Sequence, residues 1–372
     1  MKIIHLVLGK ANPNRMNGVN KVAHYHALYL HKMGYNVEIW GITNSSSDPV
    51  IERDVITRLF RSQYYIRGLD PSLMMAIENL NGNVLFHIHG ALIREFYLVT
   101  KLLREKNIEY VYTPHGAFNE AALRKNVWMK NLYIESFEKT MLKHAKKVHF
   151  LGRSEYDHIA KIVKLDNKII IPNGQCFEEL KFDFKRIEHN YCPVFGFCGR
   201  LDIYYKGLDL LIDSFSDYVK NNGNGVLWLI GDSTERKKLE QKVIAHNIGD
   251  RVIFYGAKYG EEKLNLIANM DVFLHPSRSE GSPTAVLEAA ALSRPLLVST
   301  GTNVGELVDH YDCGIHIKLL DVENICNALL DFEKLYQQNK LLKEGDNAIR
   351  MVKENFDWSK IAKQLADVYE SD

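Results

Sequence analysis

The chain has 372 residues, 46% of them apolar and 25% charged, and its net charge is +1. This is enough apolar material for two cores, and no stretch reaches the ~18 consecutive apolar residues that a spanning helix needs. The N-terminal run MKIIHLVLGK is interrupted by His5 and is too short for a signal-peptide core, and the five cysteines are scattered without CxxC spacing. A cytoplasmic protein with reduced thiols is expected, with neither a disulfide nor a zinc framework.

Strand-like and helix-like runs alternate along the chain, which is the pattern of doubly wound parallel sheets. In the first half the strands read KIIHLVLG, VEIWGI, VLFHIH, EYVYTP, KVHFLG and KIIIPNG. The first helix, NGVNKVAHYHALYLHKMGY, places Val19, Val22, His26, Leu30 and Met33 on one stripe and stops at Gly34. The loop before it, GKANPNRMNG, is polar and carries Gly9 and Gly18, a composition that lets backbone N–H groups approach a diphosphate. It lacks the G-x-G-x-x-G turn of a nicotinamide dehydrogenase.

His87 and His89 alternate on one strand face, but no third ligand is spaced to join them in a metal site, so they read as strand and cleft-lining residues. His115, in TPHGAF, follows a strand and precedes Gly116, which puts it at the C-terminal edge of a sheet.

Residues 124–147 carry seven Lys and Arg against Glu135 and Glu138, with Trp128, Leu132, Phe137, Met141 and Leu142 as an apolar side. Residues 1–187 as a whole hold 27 Lys and Arg against 18 Asp and Glu, the remainder 20 against 28. A basic amphipathic helix of this kind reads either as a packed helix with a solvated face or as one that lies on an anionic membrane surface, which would hold a cytoplasmic protein peripherally at the inner face. No nucleic-acid module accompanies the charge.

LKFDFKRIEHNYCP reads as a connection between domains. The second domain opens with VFGFCGRLDIYYKGLDLLIDSF, whose strand delivers Arg200 and whose loop delivers Lys206. Arg200 offers a planar fork and Lys206 a point charge, a pair suited to neutralising a diphosphate. VLWLIGDS and RVIFYGAKYG supply two further strands, the first ending at Gly231 and the second followed by Tyr259.

The stretch DVFLHPSRSEGSPTAVLEAAALSRPLLVSTGTNVGE, residues 271–306, is the most informative. A buried strand, VFLHPS, leads to an acidic turn. Ser282 and Pro283 then read as N-cap and first helical residue of a helix that runs to Pro295. Glu280 lies in the turn and Glu288 eight positions later, with the N–H groups of Gly281, Ser282 and Thr284 between them. The spacing reads either as an acidic turn capping a helix with Glu288 solvated, or as a site: carboxylates accept hydrogen bonds from neighbouring hydroxyls, so two of them separated by N–H donors suit a nucleotide sugar, with diols at both ends and a diphosphate in the middle.

Together HPSRSEGSPTAVLEAAALSRPLLVST and TPHGAFNEAALRKNVWMKNLYIESFEKTMLKHAKKVHFLGRSEYDHI resemble the retaining glycosyltransferases of family 4, GT-B enzymes with an E-x7-E element. The resemblance implies an α/β protein of two Rossmann-like, doubly wound parallel-sheet domains facing across a cleft. Residues 1–187 would form the acceptor side, 188–356 the nucleotide-sugar side, and the last helix, 357–372, would cross back onto the first domain.

By the same resemblance Glu280 holds sugar hydroxyls, Glu288 the ribose diol, and His115 the sugar or its phosphate. Arg200 and Lys206 form the diphosphate clamp, Gly231 borders the nucleoside, and Tyr259 stacks on the base. Gly18 keeps one of the two glycines usual in the first loop. The sequence departs from the family at Ser282, where a large apolar residue is common, and at Thr302 and Asn303, which replace a glycine pair before Glu306.

The implied reaction is metal-independent transfer of a sugar from a nucleotide diphosphate, UDP ahead of GDP, to a glycan or lipid-linked glycan hydroxyl in bacterial surface polysaccharide synthesis. No metal cofactor is expected, since the chain has no Asp-x-Asp pair. Two alternatives share the fold: a nucleotide-sugar 2-epimerase, which needs no acceptor, and a non-catalytic subunit that stabilises an active partner.

Overall fold

A computed structural model describes residues 1–10, 18–44, 54–63, 68–123, 126–177, 180–188 and 190–371. The chain forms two compact units, Met1–Asn173 with Trp358–Asp372, and Gly174–Asp357. The boundary falls before the segment taken from sequence as a connection, because that segment is tied to the second unit. The amides of Lys185 and Ile187 donate at 2.8 Å to the side chains of Asn265, in one helix, and Asn269, the residue capping that helix's C-terminus.

The first unit contains β1 (Lys2–Leu8), β2 (Asn36–Thr43), β3 (Ile56–Arg61), β4 (Val84–His89), β5 (Glu109–Thr113), β6 (Lys147–Phe150) and β7 (Lys168–Ile170). They form one parallel sheet in the order β3-β2-β1-β4-β5-β6-β7. Residues of β1 and β4 are almost all buried, as strands covered by helices on both faces must be. β3 was not anticipated. It is an edge strand of alternating exposure whose mixed ITRLFR sequence lacks a continuous apolar run.

The helix Gly18–Lys32 buries Val22, Ala23, Tyr25, His26, Ala27 and Leu30, while Met33, expected on its apolar stripe, is exposed beyond the helix end. The C-terminal helix Trp358–Glu370 belongs to this unit. Its Trp358 ring stacks on Tyr25 at 5.4 Å, and Tyr35 donates to Glu370 at 2.6 Å.

The basic segment 124–147 is broken rather than continuous, and residues 124–125 lie outside the described residues. Val127–Tyr133 is a short helix with no buried residue, a π-helical turn covers Ile134–Glu138, and Lys139–His144 resumes the α form. Only Met141 and Leu142 of the expected apolar side are buried; Trp128, Leu132 and Phe137 are exposed. The wider turn rotates the two ends relative to each other, so the five residues do not share one face.

The second unit contains β8 (Val194–Cys198), β9 (Val226–Ile230), β10 (Val252–Gly256), β11 (Val272–His275), β12 (Leu296–Ser299) and β13 (Gly314–Ile317), all parallel, in the order β10-β9-β8-β11-β12-β13. Strand order therefore reverses between β8 and β11, and in the first unit between β1 and β4. In such sheets the crevice at the carboxyl ends of the two central strands is the place where ligands are held. No described helix is long and apolar enough to cross a membrane.

Candidate active site

In the second unit the loops after β8 and β11 meet at this switch point. Gly207 lets them approach: it sits at φ +66°, and a Cβ there would lie 2.0 Å from the Pro276 carbonyl oxygen. Arg278 fastens the same junction, gripping Asp209 with two bonds of 2.7 and 2.8 Å, while its amide donates to the Tyr205 carbonyl at 2.8 Å. Lys206 is thereby carried to Glu280.

One oxygen of Glu280 accepts from Lys206 Nζ, from His275 Nε2 at 2.8 Å and from Ser277 Oγ at 2.8 Å. Burial alone would raise the Glu280 pKa, but the Lys206 charge and the His275 bond outweigh it and hold the carboxyl well below its ordinary range. His275 is fully enclosed, and burial lowers its pKa despite the carboxylate, so it is the neutral ring that donates from Nε2. Glu280 is an ionised acceptor held from three sides.

The Glu280 backbone is pinned as well. Its amide donates to Gly301 at 2.8 Å, and Asn303 Nδ2 donates to the Glu280 carbonyl at 2.7 Å and to that of Gly281 at 3.2 Å. Asn303 adopts φ +64°, a left-handed conformation that asparagine tolerates. The departure from a glycine pair is thus accommodated, and the new side chain reinforces the acidic turn.

The helix begins at Thr284, one residue later than the sequence suggested. Pro283, at φ −83° and ψ 74°, takes the cap position, and that ψ lies outside the helical range. Ser282 is not the cap; its hydroxyl is buried without a partner. Nor is the Thr284 amide open, since it bonds the Ser282 carbonyl at 3.0 Å. Among the described residues the Gly281 and Ser282 amides have no acceptor, which leaves two of the three expected donors available.

Glu288 lies on the buried side of this helix, and both its oxygens accept from Lys263 at 2.7 Å. Lys263 was missed from sequence, as were His275 and Arg278, and Asn303 was noted only as a departure from the family. The first is 25 positions from its partner, and nothing local marks the pairing. Arg200 stands apart from Lys206: its side chain is exposed and reaches Asp202 at 3.2 Å. Gly231, at φ +145°, has a structural reason to be glycine, because a Cβ there would be 1.8 Å from the Gly199 oxygen. Tyr259 is exposed just ahead of the helix Gly260–Ala268.

In the first unit His115 follows β5 at φ +55° and is half-buried. Its turn is held by Glu155, whose Oε1 accepts from the Phe118 amide at 3.1 Å and whose pKa burial raises to about 7. His115 Nε2 lies 2.9 Å from His89 Nδ1. The expectation that nothing joins His87 and His89 is corrected here. His5 from β1 and His26 from the first helix come alongside, and nitrogens of all four rings lie within 4.8 Å of one another.

Hydrogen bonds occupy both nitrogens of two of these rings. His87 meets Tyr369 at 2.5 Å and Thr113 at 2.6 Å, and His89 meets His5 and His115 at 2.9 Å each. His5 Nε2 and both nitrogens of His26 are buried without a partner. Gly18 opens the first helix and is exposed, while residues 11–17 of the glycine-bearing loop lie outside the described residues.

The family model for Glycosyl transferases group 1 matches residues 179–370, and that for Glycosyltransferase Family 4 matches 16–175. An uncharacterized glycosyltransferase of Methanocaldococcus jannaschii is 25% identical over 280 residues, 72% of this chain and 69% of its own. The capsular polysaccharide biosynthesis glycosyltransferase CapM of Staphylococcus aureus is 27% identical over 217 residues, 55% of this chain and 56% of its own. Among solved structures, Anabaena HepE in complex with UDP superposes with a TM-score of 0.72 at 16% identity, covering 99% of both chains. That likeness is one of fold, GT-B.

Proposed function

The chain belongs to the group 1 glycosyl transferases, and from that premise we propose a retaining transferase. It moves a sugar from a nucleotide diphosphate, UDP ahead of GDP, to a hydroxyl of a surface polysaccharide or lipid-linked glycan. The observation that carries the reading is the Lys206–Glu280 pair at the switch point of the second sheet. An ammonium has three N–H donors, so Lys206 can keep Glu280 and still donate to a phosphate oxygen. Glu280, kept ionised, accepts from sugar hydroxyls.

Glu288 takes the ribose diol, with Lys263 holding its carboxylate in place. Arg200 swings from Asp202 to the diphosphate, and Gly281 and Ser282 offer their amides to it. Gly231 and Tyr259 border the nucleoside, and His115 bonds the sugar or its phosphate. The bond from the anomeric carbon to the phosphate oxygen breaks, the acceptor oxygen bonds that carbon on the same face, and its proton passes to the departing phosphate oxygen. Charge on the leaving group is met by Lys206 and Arg200, so no divalent ion is required.

HepE, a protein of this fold, was solved with UDP, and CapM acts in capsular polysaccharide biosynthesis by name; both support the donor and acceptor class. A thermal-shift panel of UDP, GDP and ADP and their sugars tests the donor, since a ligand at ~100 times its Kd adds about 2.7 kcal/mol. Transfer that persists in EDTA, with retained anomeric configuration by NMR, supports the mechanism. Loss of activity on chelation, restored by Mg²⁺, would contradict it, and epimer formation from donor alone would replace it.

The exposed residues Val127, Trp128, Met129 and Leu132, beside Lys130, support peripheral binding to an anionic membrane. Vesicle co-sedimentation that depends on anionic lipid and is lost in Trp128→Ser/Leu132→Ser is the expected result.

A further inference from the structure

We infer that His89 is a positioning residue: with His5 behind it, it fixes His115 as the Nδ1–H tautomer, so that His115 meets its ligand as a hydrogen-bond donor. The bearing on sugar transfer rests on the reading of His115 given above, whereas the tautomer does not.

Two hydrogen-bonded chains run through the histidine cluster, and the first shows how its protons are ordered. His149 Nε2 lies 2.7 Å from the Ile171 carbonyl, an acceptor only, so this nitrogen carries the proton. His149 Nδ1 is then bare and accepts from the Thr113 hydroxyl at 2.9 Å. The hydroxyl oxygen accepts from His87 Nε2–H, and His87 Nδ1 accepts from Tyr369. Every proton in this chain is assigned by one carbonyl.

The second chain joins His5 Nδ1 to His89 Nε2, and His89 Nδ1 to His115 Nε2, each at 2.9 Å. Burial keeps all three rings neutral, holding His5 and His115 down to about 3 and His89 well below the usual imidazole range. Each ring then has one N–H, and the chain can run in only two directions. Run inward, it leaves an N–H on His5 Nε2, which is buried and without a partner. Run outward, it leaves only a bare lone pair there.

A stranded buried N–H is the rarer of the two, by the pattern of backbone groups. His26 sharpens the difference. Its two nitrogens are also buried and unpartnered, so one stranded N–H already lies in this pocket, and the inward chain would add a second. The outward direction wins: His5 donates to His89, and His89 to His115 Nε2. The remaining proton of His115 sits on Nδ1, which suits a sugar or phosphate oxygen and leaves no lone pair for a general base.

The test is long-range ¹H–¹⁵N spectroscopy of the full chain labelled with ¹⁵N-histidine, with the His115 signals identified by their loss in His115→Gln. The expected wild-type result is a neutral His115 protonated on Nδ1. His89→Leu should release it to a mixture of tautomers, while His89→Asn, whose amide supplies an N–H in place of His89 Nδ1–H, should keep the Nδ1–H form. An Nε2–H His115 in the wild-type chain, or in His89→Asn if the leucine variant does not fold, overturns the inference, as does a tautomer indifferent to His89→Leu.

Turnover separates the two claims. His89→Leu should lower kcat about ten- to a hundredfold, the scale seen when a partner orienting a ligand histidine is removed, and His89→Asn should restore most of it. An Nδ1–H His115 in a chain without transfer activity upholds the tautomer and discards the transfer reading.

Discussion

Lys206→Met isolates the ion pair on which the proposed donor site rests. The two side chains are 19% and 12% exposed, so the range for buried pairs applies, about 3–5 kcal/mol when one partner is removed, and not the 0–1 of surface pairs. His275 and Ser277 still donate to the stranded carboxylate, which argues for the lower end, about 3 kcal/mol, or roughly 6–12 °C in the melting temperature of a unit this size. In the wild-type chain the depressed Glu280 pKa contributes stability above the ordinary carboxylate range that is lost as pH falls through the folded value. Without Lys206 the enclosed carboxyl protonates readily, so the deficit should be largest near about pH 7.5 and shrink toward about pH 5. Urea unfolding read through Trp228, buried in the same unit, measures this. Adding Glu280→Gln should recover most of the loss, and turnover should fall ~10²- to 10³-fold in either single variant. A Lys206→Met protein as stable as wild type at neutral pH, or a deficit that Glu280→Gln leaves untouched, refutes the reasoning.

Glu288→Ala should weaken UDP binding by about ten- to a hundredfold, the loss of charged hydrogen bonds worth ~1.5–3 kcal/mol. An unchanged Kd by calorimetry would remove Glu288 from the site. Glu155 bears on pH. Its folded pKa of about 7 exceeds the ordinary 4.5, so its stabilisation is complete below about pH 4.5 and disappears as pH rises through about 7, some ~3 kcal/mol. Glu155→Gln, which can still accept from the Phe118 amide, should flatten the first unit's stability across that window in a denaturation series; Glu138, also raised to about 7, keeps a slope of its own. Gly207→Ala, with a Cβ 2.0 Å from a carbonyl, should lose at least about 2 kcal/mol in the same assay.

Much of this was legible in the chain itself. Continuous apolar strands followed by helix formers state a parallel α/β architecture, because burial on both faces requires that pattern. Glu280 and Glu288, in the contiguous acidic turn and helix, and Arg200 and Lys206, on a separate strand and loop, were identified as candidates, with the family resemblance supplying their roles. Partners were not. Lys206 and Glu280 are separated by 74 positions, and Lys263 and Glu288 by 25; the strand order, which sets β8 beside β11, makes the first pair's loops meet, and the packing of helix Gly260–Ala268 on helix Thr284–Ala291 brings the second pair together.

The same holds for the histidines. His87 and His89 are neighbours in sequence and read as isolated, yet β1 and the first helix bring His5 and His26 against them. Side-chain type and local periodicity are written along the chain, so the sequence determined the kind of fold and the chemistry at hand. Which groups share a proton or a charge depends on adjacency across the sheet, and packing alone decided it.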